Sequence, residues 1–208
     1  MHDLKGDAKA RYVAGMFARI ARRYDLLNTV MTSGMHHRWR KTATRIATEG
    51  VNGAALDVAT GTGDFAFALA KRSGVHSVVG VDFVTEMVTI ARLKAQRRHA
   101  SERVRFVQGD ALSLPFPDDT FVCATSGFGM RNFIDVAKAV QEMARVVRPG
   151  GKVVILEISP FERDGVIPRL FRFYFHNVVP LMGGMLSGDR EAYTYLPKSV
   201  EVFPTAGK

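Results

Sequence analysis

Ala54-Ala-Leu-Asp-Val-Ala-Thr-Gly-Thr-Gly-Asp64 is an apolar strand that runs into a Gly-x-Gly turn and then a helix. Leu56, Val58 and Ala59 read as a buried parallel strand, Gly61 and Gly63 let the backbone turn sharply and approach a ligand, and residues 65–71 begin the helix. That order of elements is a cradle for a nucleotide-like cofactor and marks the chain as an enzyme. The stretch alone leaves the cofactor open. Gly61, Gly63 and Ala66 also satisfy the looser Gly-x-Gly-x-x-Gly/Ala pattern of dinucleotide-binding folds, and a tight turn without a ligand uses the same residues.

Outward from the turn, residues 77–83 read as a second buried strand carrying Asp82 at its end, 104–110 as a third ending in Asp110, 120–126 as a fourth and 152–159 as a fifth. Residues 85–99 and 134–147 read as intervening helices, the latter stopped by Pro149-Gly150-Gly151. The alternation predicts an α/β, Rossmann-like fold: a mostly parallel sheet with helices on both faces and right-handed crossovers. Ligands then sit at the carboxyl ends of the strands, where Asp82, Asp110 and the Gly61 turn fall.

Two flanks stand outside the alternation. Residues 12–47 read as mostly helical, with Val13, Met16, Phe17 and Ile20 on one apolar stripe. Residues 167–187 are dense in aromatic and aliphatic side chains but are broken by Pro180, Gly183 and Gly184, which argues against a membrane-spanning helix. They are either a core-covering helix or a lid over an apolar substrate, and their aromatic density favours the lid. The predicted organisation is a helical cap over 1–50, a cofactor-binding domain over 51–160 and an aromatic-rich helical lid over 161–208.

At 208 residues the chain is sized for one catalytic unit, and its 47% hydrophobic and 24% charged composition excludes a disordered chain. Its single cysteine, Cys123, has no internal disulfide partner and sits in an apolar run as a strand residue. The first nine residues hold no apolar signal region, so a cytoplasmic location is expected. The net charge of +9 is uneven: residues 1–45 hold 10 Lys or Arg against 3 Asp or Glu, whereas 46–162 hold 13 of each. A basic cap can meet an anionic membrane surface or nucleic acid, or be no more than a solvated helix face.

A cofactor with an adenosine end needs an acceptor for its ribose hydroxyls, and Asp82 at the end of the second strand is placed to be one, for NAD and S-adenosylmethionine alike. A methyl donor also needs partners for its methionyl ammonium, which Asp57 or the turn at Gly61, Thr62 and Gly63 can supply, and for its adenine, for which Asp110-Ala111 is placed. Asp57 reads equally as a hydrogen-bonded strand residue, and Asp110 as a turn former ahead of Pro115.

Several segments together resemble the S-adenosylmethionine-dependent C-methyltransferases of menaquinone and ubiquinone biosynthesis. They are Arg23-Tyr24-Asp25-Leu26-Leu27-Asn28, Gly34, His36, Trp39-Arg40, the opening stretch, Val81-Asp82-Phe83, Gly109-Asp-Ala-Leu112, Leu114-Pro-Phe-Pro-Asp118, Phe128-Gly-Met-Arg-Asn132, Arg148-Pro-Gly-Gly151, Ser187-Gly-Asp189 and Tyr195-Leu-Pro197. The resemblance spans nearly the whole chain. It implies the class I methyltransferase fold, with Thr62, Asp82, Asp110 and Ala111 contacting S-adenosylmethionine and no metal. Where family members often carry a cofactor-contacting Ser, this chain has Gly127.

The resemblance also implies methylation of a ring carbon on a polyprenylated quinol. Such a carbon becomes nucleophilic when a neighbouring hydroxyl loses its proton, so a base or a phenolate stabiliser is required. Arg131 and Asn132 are the expected pair facing the quinol oxygen, Arg131 stabilising negative charge or holding a basic water and Asn132 orienting it, since an arginine is not itself a base. An Arg-Asn helix cap is the competing reading. Tyr24 and Asp25 come second, closing the cofactor site, while His36 and His37 read as surface or packing residues.

Family members usually continue past Phe203-Pro204 with a helix and two more strands, so this sheet is expected to lack its last two and to leave the fifth strand as an edge. Demethylmenaquinol is the preferred substrate. A polyprenyl benzoquinol of ubiquinone synthesis and a non-catalytic S-adenosylmethionine-binding subunit are the alternatives. Expected partners are the quinol, the inner face of the membrane as a peripheral surface and a second copy of the chain. Nucleic acid is set aside, because the chain lacks the Asn/Asp-Pro-Pro-Tyr/Phe pattern of amino-methylating enzymes.

Overall fold

The computed structural model describes residues 6–160, 165–187, 189–201 and 203. At its centre β1 (Gly53–Val58) lies between β2 (Val75–Asp82) and β4 (Phe121–Gly127). With β3 (Val104–Gln108) and β5 (Val147–Leu156) they form a wholly parallel sheet in the order β3-β2-β1-β4-β5. The run from Ala55 to Val58 is buried on both faces, as a central parallel strand must be. The chain winds outward one way from β1 to β3 and the other way from β4 to β5, which puts the topological switch between β1 and β4. The predicted α/β Rossmann-like class is the observed one, with a five-stranded sheet among the described residues.

Helices cover both faces. Ala43 and Ala47 of α3 (Met35–Ala47), Phe65 and Leu69 of α4 (Asp64–Ala70) and Ala91 and Ala95 of α5 (Thr85–Arg97) pack in one core with Ala55, Val78 and Cys123. Ala139 and Met143 of α6 (Val136–Arg145) close the other core over Leu56, Val58 and Phe121. The Asp135 carboxylate caps α6 by accepting from the Lys138 amide at 2.8 Å.

Pro149-Gly150-Gly151 is not the helix stop that it was expected to be. Helix α6 ends at Arg145 and β5 is already paired at Val147, opposite Phe121; the register then jumps to Cys123 opposite Lys152. Residues 148–151 therefore form an excursion within the strand, which suits a proline without an N–H and a Gly150 at φ +79°.

The flanking segments meet each other. Met16 and Ile20 of α1 (Gly6–Ile20) and Leu27 of α2 (Tyr24–Met31) share a core with Phe175, Val179, Tyr193 and Val200. After α7 (Val166–Phe173), Phe175 lies on a π-helical turn (Tyr174–Val178), Val179 opens α8 (Val179–Ser187), and Tyr193 and Val200 lie on α9 (Arg190–Glu201). Among the described residues no helix is long and apolar enough to cross a membrane. The expectations for the first five residues, for the start of the lid segment at 161–164 and for the chain end at 204–208 lie outside the described residues, as does Gly188.

Candidate active site

Beyond β1 the backbone enters the left-handed region at Ala59 (φ +54°), Gly61 (φ +56°) and Gly63 (φ +87°). Glycine is needed at Gly63, where an added Cβ would fall 2.5 Å from the Phe106 ring. The turn is held by Asp82: its carboxylate accepts from the Gly61 amide at 2.7 Å and the Val84 amide at 2.9 Å. Burial pushes the Asp82 pKa up, against the pull of these amides. Asp57 lies beneath, fully buried, taking the Thr60 hydroxyl at 2.6 Å and the Thr125 hydroxyl at 2.9 Å. Burial pushes it up to about 6. It ties β1 to β4 and does not border the cavity above.

That cavity, of about 320 Å³, opens over the ends of β1, β2 and β4. Gly61, Asp82, Asp110, Ala111 and Gly127 border it, and Val13, Ala14 and Phe17 of α1 roof it. The Asp110 carboxylate accepts from the Leu112 amide at 2.9 Å, keeping Ala111 in a tight turn. An adenosyl cofactor fits this lining. A buried carboxylate stands at the end of β2 and the volume is of small-ligand size; behind the lining, the Ser126 hydroxyl and Arg40 Nε are buried with no hydrogen-bond partner among the described residues.

Thr62 faces elsewhere. Its hydroxyl donates to Asp25 at 2.5 Å and accepts from Lys94 at 3.1 Å, and the Lys94 ammonium also reaches Asp25 at 2.8 Å and Asp64 at 2.7 Å. Burial would raise the Asp64 pKa, but Lys94, Arg40 and Arg98 override it and hold the carboxyl below its usual range. The cluster fastens α2 and α5 to the turn. Tyr24, next to Asp25, is thereby set against Gly61, and burial pushes its phenol pKa up.

A second, smaller pocket of about 70 Å³ adjoins the first, and Phe17, Tyr24, Phe128 and Asn132 border both. Apolar side chains, Met16, Ile20, Met31, Ile158 and Phe175 among them, make up much of its remaining lining, with Asn28, Thr32, Arg131, Tyr193 and Tyr195 as its polar part. The 3₁₀ turn Met130–Asn132 after β4 brings Arg131 and Asn132 to this pocket. Asn132 Oδ1 accepts from the Tyr195 hydroxyl at 3.2 Å. Arg131 is buried and largely committed: Nη1 donates to Glu157 Oε1 at 2.5 Å and to the Phe128 carbonyl at 2.7 Å, and Nε to the Ser199 hydroxyl at 3.2 Å. His36 Nδ1 lies 2.7 Å from the Thr32 hydroxyl, and burial and the Arg40 charge push its pKa down to about 4, leaving a neutral packing residue.

The structure thus brings Gly61, Asp82, Asp110, Ala111, Tyr24 and Asn132 to one cavity, and Arg131 to its neighbour. Asp57, Thr62 and Gly63 support the turn from outside. Sequence reasoning passed over Glu157, Ser199, Lys94 and the role of Tyr195. Glu157 carried a signal, since a carboxylate in the apolar run Val153-Val-Ile-Leu-Glu-Ile158 must find a partner if that run is buried.

The sequence model of the ubiE/COQ5 methyltransferase family matches residues 5–208. A protein of Thermus thermophilus named demethylmenaquinone methyltransferase is 48% identical over 91% of this chain and 84% of its own length. A protein of Deinococcus radiodurans with the same name is 47% identical over 94% and 80%. The ubiquinone/menaquinone biosynthesis C-methyltransferase UbiE of Bdellovibrio bacteriovorus is 41% identical over 92% and 80%. Among solved structures, the YcgJ protein of Bacillus subtilis superposes with a TM-score of 0.58 at 36% identity, over 70% of this chain and 59% of that one.

Proposed function

The chain belongs to the ubiE/COQ5 methyltransferase family, an S-adenosylmethionine-dependent methyltransferase, and on that premise we propose that it methylates the ring carbon of demethylmenaquinol. The observation that carries this reading is the pair of adjoining pockets. A cavity with adenosine-type acceptors shares a four-residue wall with a smaller apolar pocket, so a donor in one and an aromatic ring in the other meet across Tyr24, Phe128 and Asn132. The naphthoquinol is preferred to a benzoquinol because the relatives named demethylmenaquinone methyltransferase are 44–48% identical, against 40–41% for those named UbiE.

S-adenosylmethionine supplies an electrophilic methyl group on a sulfonium. Asp82 would accept from the ribose hydroxyls, Asp110-Ala111 would frame the adenine, and the turn from Gly61 to Gly63, with Thr62 and Asp57 as its supports, would receive the methionyl end. Arg131 offers positive charge to the developing phenolate oxygen and would hold the water that takes the hydroxyl proton and, after transfer, the proton displaced from the ring carbon; Asn132 orients the ring hydroxyl. Tyr24 closes the wall between donor and ring and keeps water out. Because transfer from a sulfonium to a phenolate-like carbon destroys charge, the apolar lining favours it. Glu157 holds the Arg131 fork in place and moderates its charge.

The cap over 1–50 and the helices after 160 serve as roof and lid. These segments expose Leu26, Leu170, Phe173 and Met185, the last three at 64%, 63% and 79%. Together with the basic surplus of residues 1–45, these exposed apolar side chains suit peripheral contact with an anionic bilayer, from which a prenylated ring would be delivered. A second copy of the chain is the competing occupant.

Purified protein, labelled S-adenosylmethionine and each demethylated quinol, reduced and dispersed in anionic vesicles, test both statements. We expect label in the naphthoquinol and protein in the vesicle pellet. Cofactor binding with transfer to neither quinol would leave the non-catalytic reading standing instead, and a protein that stays in the supernatant as a dimer would replace the bilayer with a second copy.

A further inference from the structure

Arg40 has a role that neither the wall of the two pockets nor the support of the turn assigns. Its side chain is 12% exposed, and among the described residues its Nε is buried without a hydrogen bond and its one ion pair is loose, 3.8 Å from Asp64 Oδ2. Asp64 is already bound at 2.7 Å by Lys94. A guanidinium has five N–H donors, and keeping it mostly buried with Nε unbonded and only a loose carboxylate contact is costly unless a ligand completes it. Arg40 borders neither pocket in the ligand-free protein, and its surroundings place it beside the turn. Asp64 directly follows the glycine turn, and the preceding Trp39 lies with its ring centroid 6.3 Å from that of Phe128, which borders both pockets. Burial raises the pKa of Tyr24 and of Asp57, and the field of Arg40 pulls against that rise at both, so the charge sits beside the turn.

The cofactor's orientation decides what arrives there. With the ribose on Asp82 and the adenine on Asp110-Ala111, the methionyl end extends the other way, across the Gly61 turn toward β4. That end carries the cofactor's only anionic group. The other cations beside the turn are occupied: Lys94 by Asp25 and Asp64, and Arg131 by Glu157, while Arg98 is 48% exposed and lies over the Phe67 ring. We propose that Arg40 binds the methionyl carboxylate of S-adenosylmethionine, and so tells the intact cofactor from adenosyl compounds that lack that group. The inference rests on the family's use of this cofactor. It predicts that the ligand-free protein bears an unfilled cation at this point and that the complex does not.

Calorimetric titration with two product-like probes tests it: S-adenosylhomocysteine, and S-adenosyl-3-thiopropylamine, which keeps the amine and lacks the carboxylate. For Arg40→Met, S-adenosylhomocysteine should bind roughly 10- to 100-fold more weakly, the range of one lost charge-assisted contact, with the amine probe within about twofold of its wild-type affinity. The melting temperature of the ligand-free variant should not fall, because the change removes a mostly buried charge that has only a loose ion pair and keeps an apolar stem of similar length. Arg40→Lys, which keeps the charge and loses the fork, should fall between wild type and Arg40→Met for the carboxylate probe alone. Equal losses for both probes would make Arg40 a structural residue, and unchanged S-adenosylhomocysteine binding would place the carboxylate elsewhere. If wild-type protein bound neither probe, the cofactor assignment itself would fall.

Discussion

In the cofactor cradle, the groups facing the cavity come from the ends of neighbouring strands and are set by backbone. Asp82 is held by two amides, Asp110 by one, and Gly61 by its left-handed turn. In the acceptor pocket beside it the groups come from distant parts of the chain and are set by side chains. Arg131 leans on Glu157 and on Ser199, 68 residues further along, and Asn132 takes the hydroxyl of Tyr195. The difference separates binding from chemistry. A cradle built on backbone amides loses stability and affinity together when it is disturbed, whereas a pocket built on side-chain pairs can lose its chemistry while the cofactor still binds.

The largest effect should come from breaking the buried pair. Arg131→Ala leaves Glu157, with its side chain only 4% exposed, as an uncompensated charge, and should cost about 3–5 kcal/mol in urea unfolding as well as abolishing methyl transfer. Replacing both partners, Arg131→Met with Glu157→Leu, should return most of that stability and none of the activity, with cofactor affinity near wild type. Recovery of transfer in the double variant would remove Arg131 from the chemistry.

Disturbing the cradle gives the opposite pattern at a smaller scale. Gly63→Ala puts a side chain at φ +87°, costing about 1–2 kcal/mol in the left-handed region. It also drives a Cβ to 2.5 Å from the Phe106 ring, for about 1–3 kcal/mol of overpacking. Cofactor titration and urea unfolding should decline together. Full cofactor affinity in a destabilised Gly63→Ala protein would show that the turn and the binding site are independent.

The same contrast explains what was legible in the amino-acid order. The strand, glycine turn and helix are local, and the 21 residues from Gly61 to Asp82 are one strand-helix-strand crossing, so side-chain period and turn chemistry suffice to place them. Pro149-Gly150-Gly151 misled because breakers mark an interruption without saying which element is interrupted, and here it was β5. Thr62 and Asp57 were identified as belonging to the turn, but whether a polar side chain beside a glycine faces the ligand or the scaffold depends on partners elsewhere. Asp25 and Lys94 claim Thr62, and Thr125 claims Asp57. Glu157, Ser199 and Tyr195 were out of reach for the same reason: each acts through a contact that spans two or more elements, and no periodicity encodes such a contact.

The smallest change tests the finest part of the comparison. Tyr195→Phe removes the hydroxyl that reaches Asn132 Oδ1 and keeps the ring, whose edge-on contact with Tyr12 at 6.0 Å holds the side chain in place. Loss of one neutral, half-buried hydrogen bond is worth about 1 kcal/mol. If that energy is spent on orienting Asn132 toward the ring hydroxyl, kcat should fall about fivefold while cofactor Kd stays unchanged, since Tyr195 borders the acceptor pocket and not the cradle. A fall in stability of the same size with kcat intact would instead make the Tyr195–Asn132 contact a strut between α9 and the turn after β4. Asn132 would then orient without help from α9, and the acceptor pocket would owe less to distant side chains than Arg131 and Glu157 alone suggest.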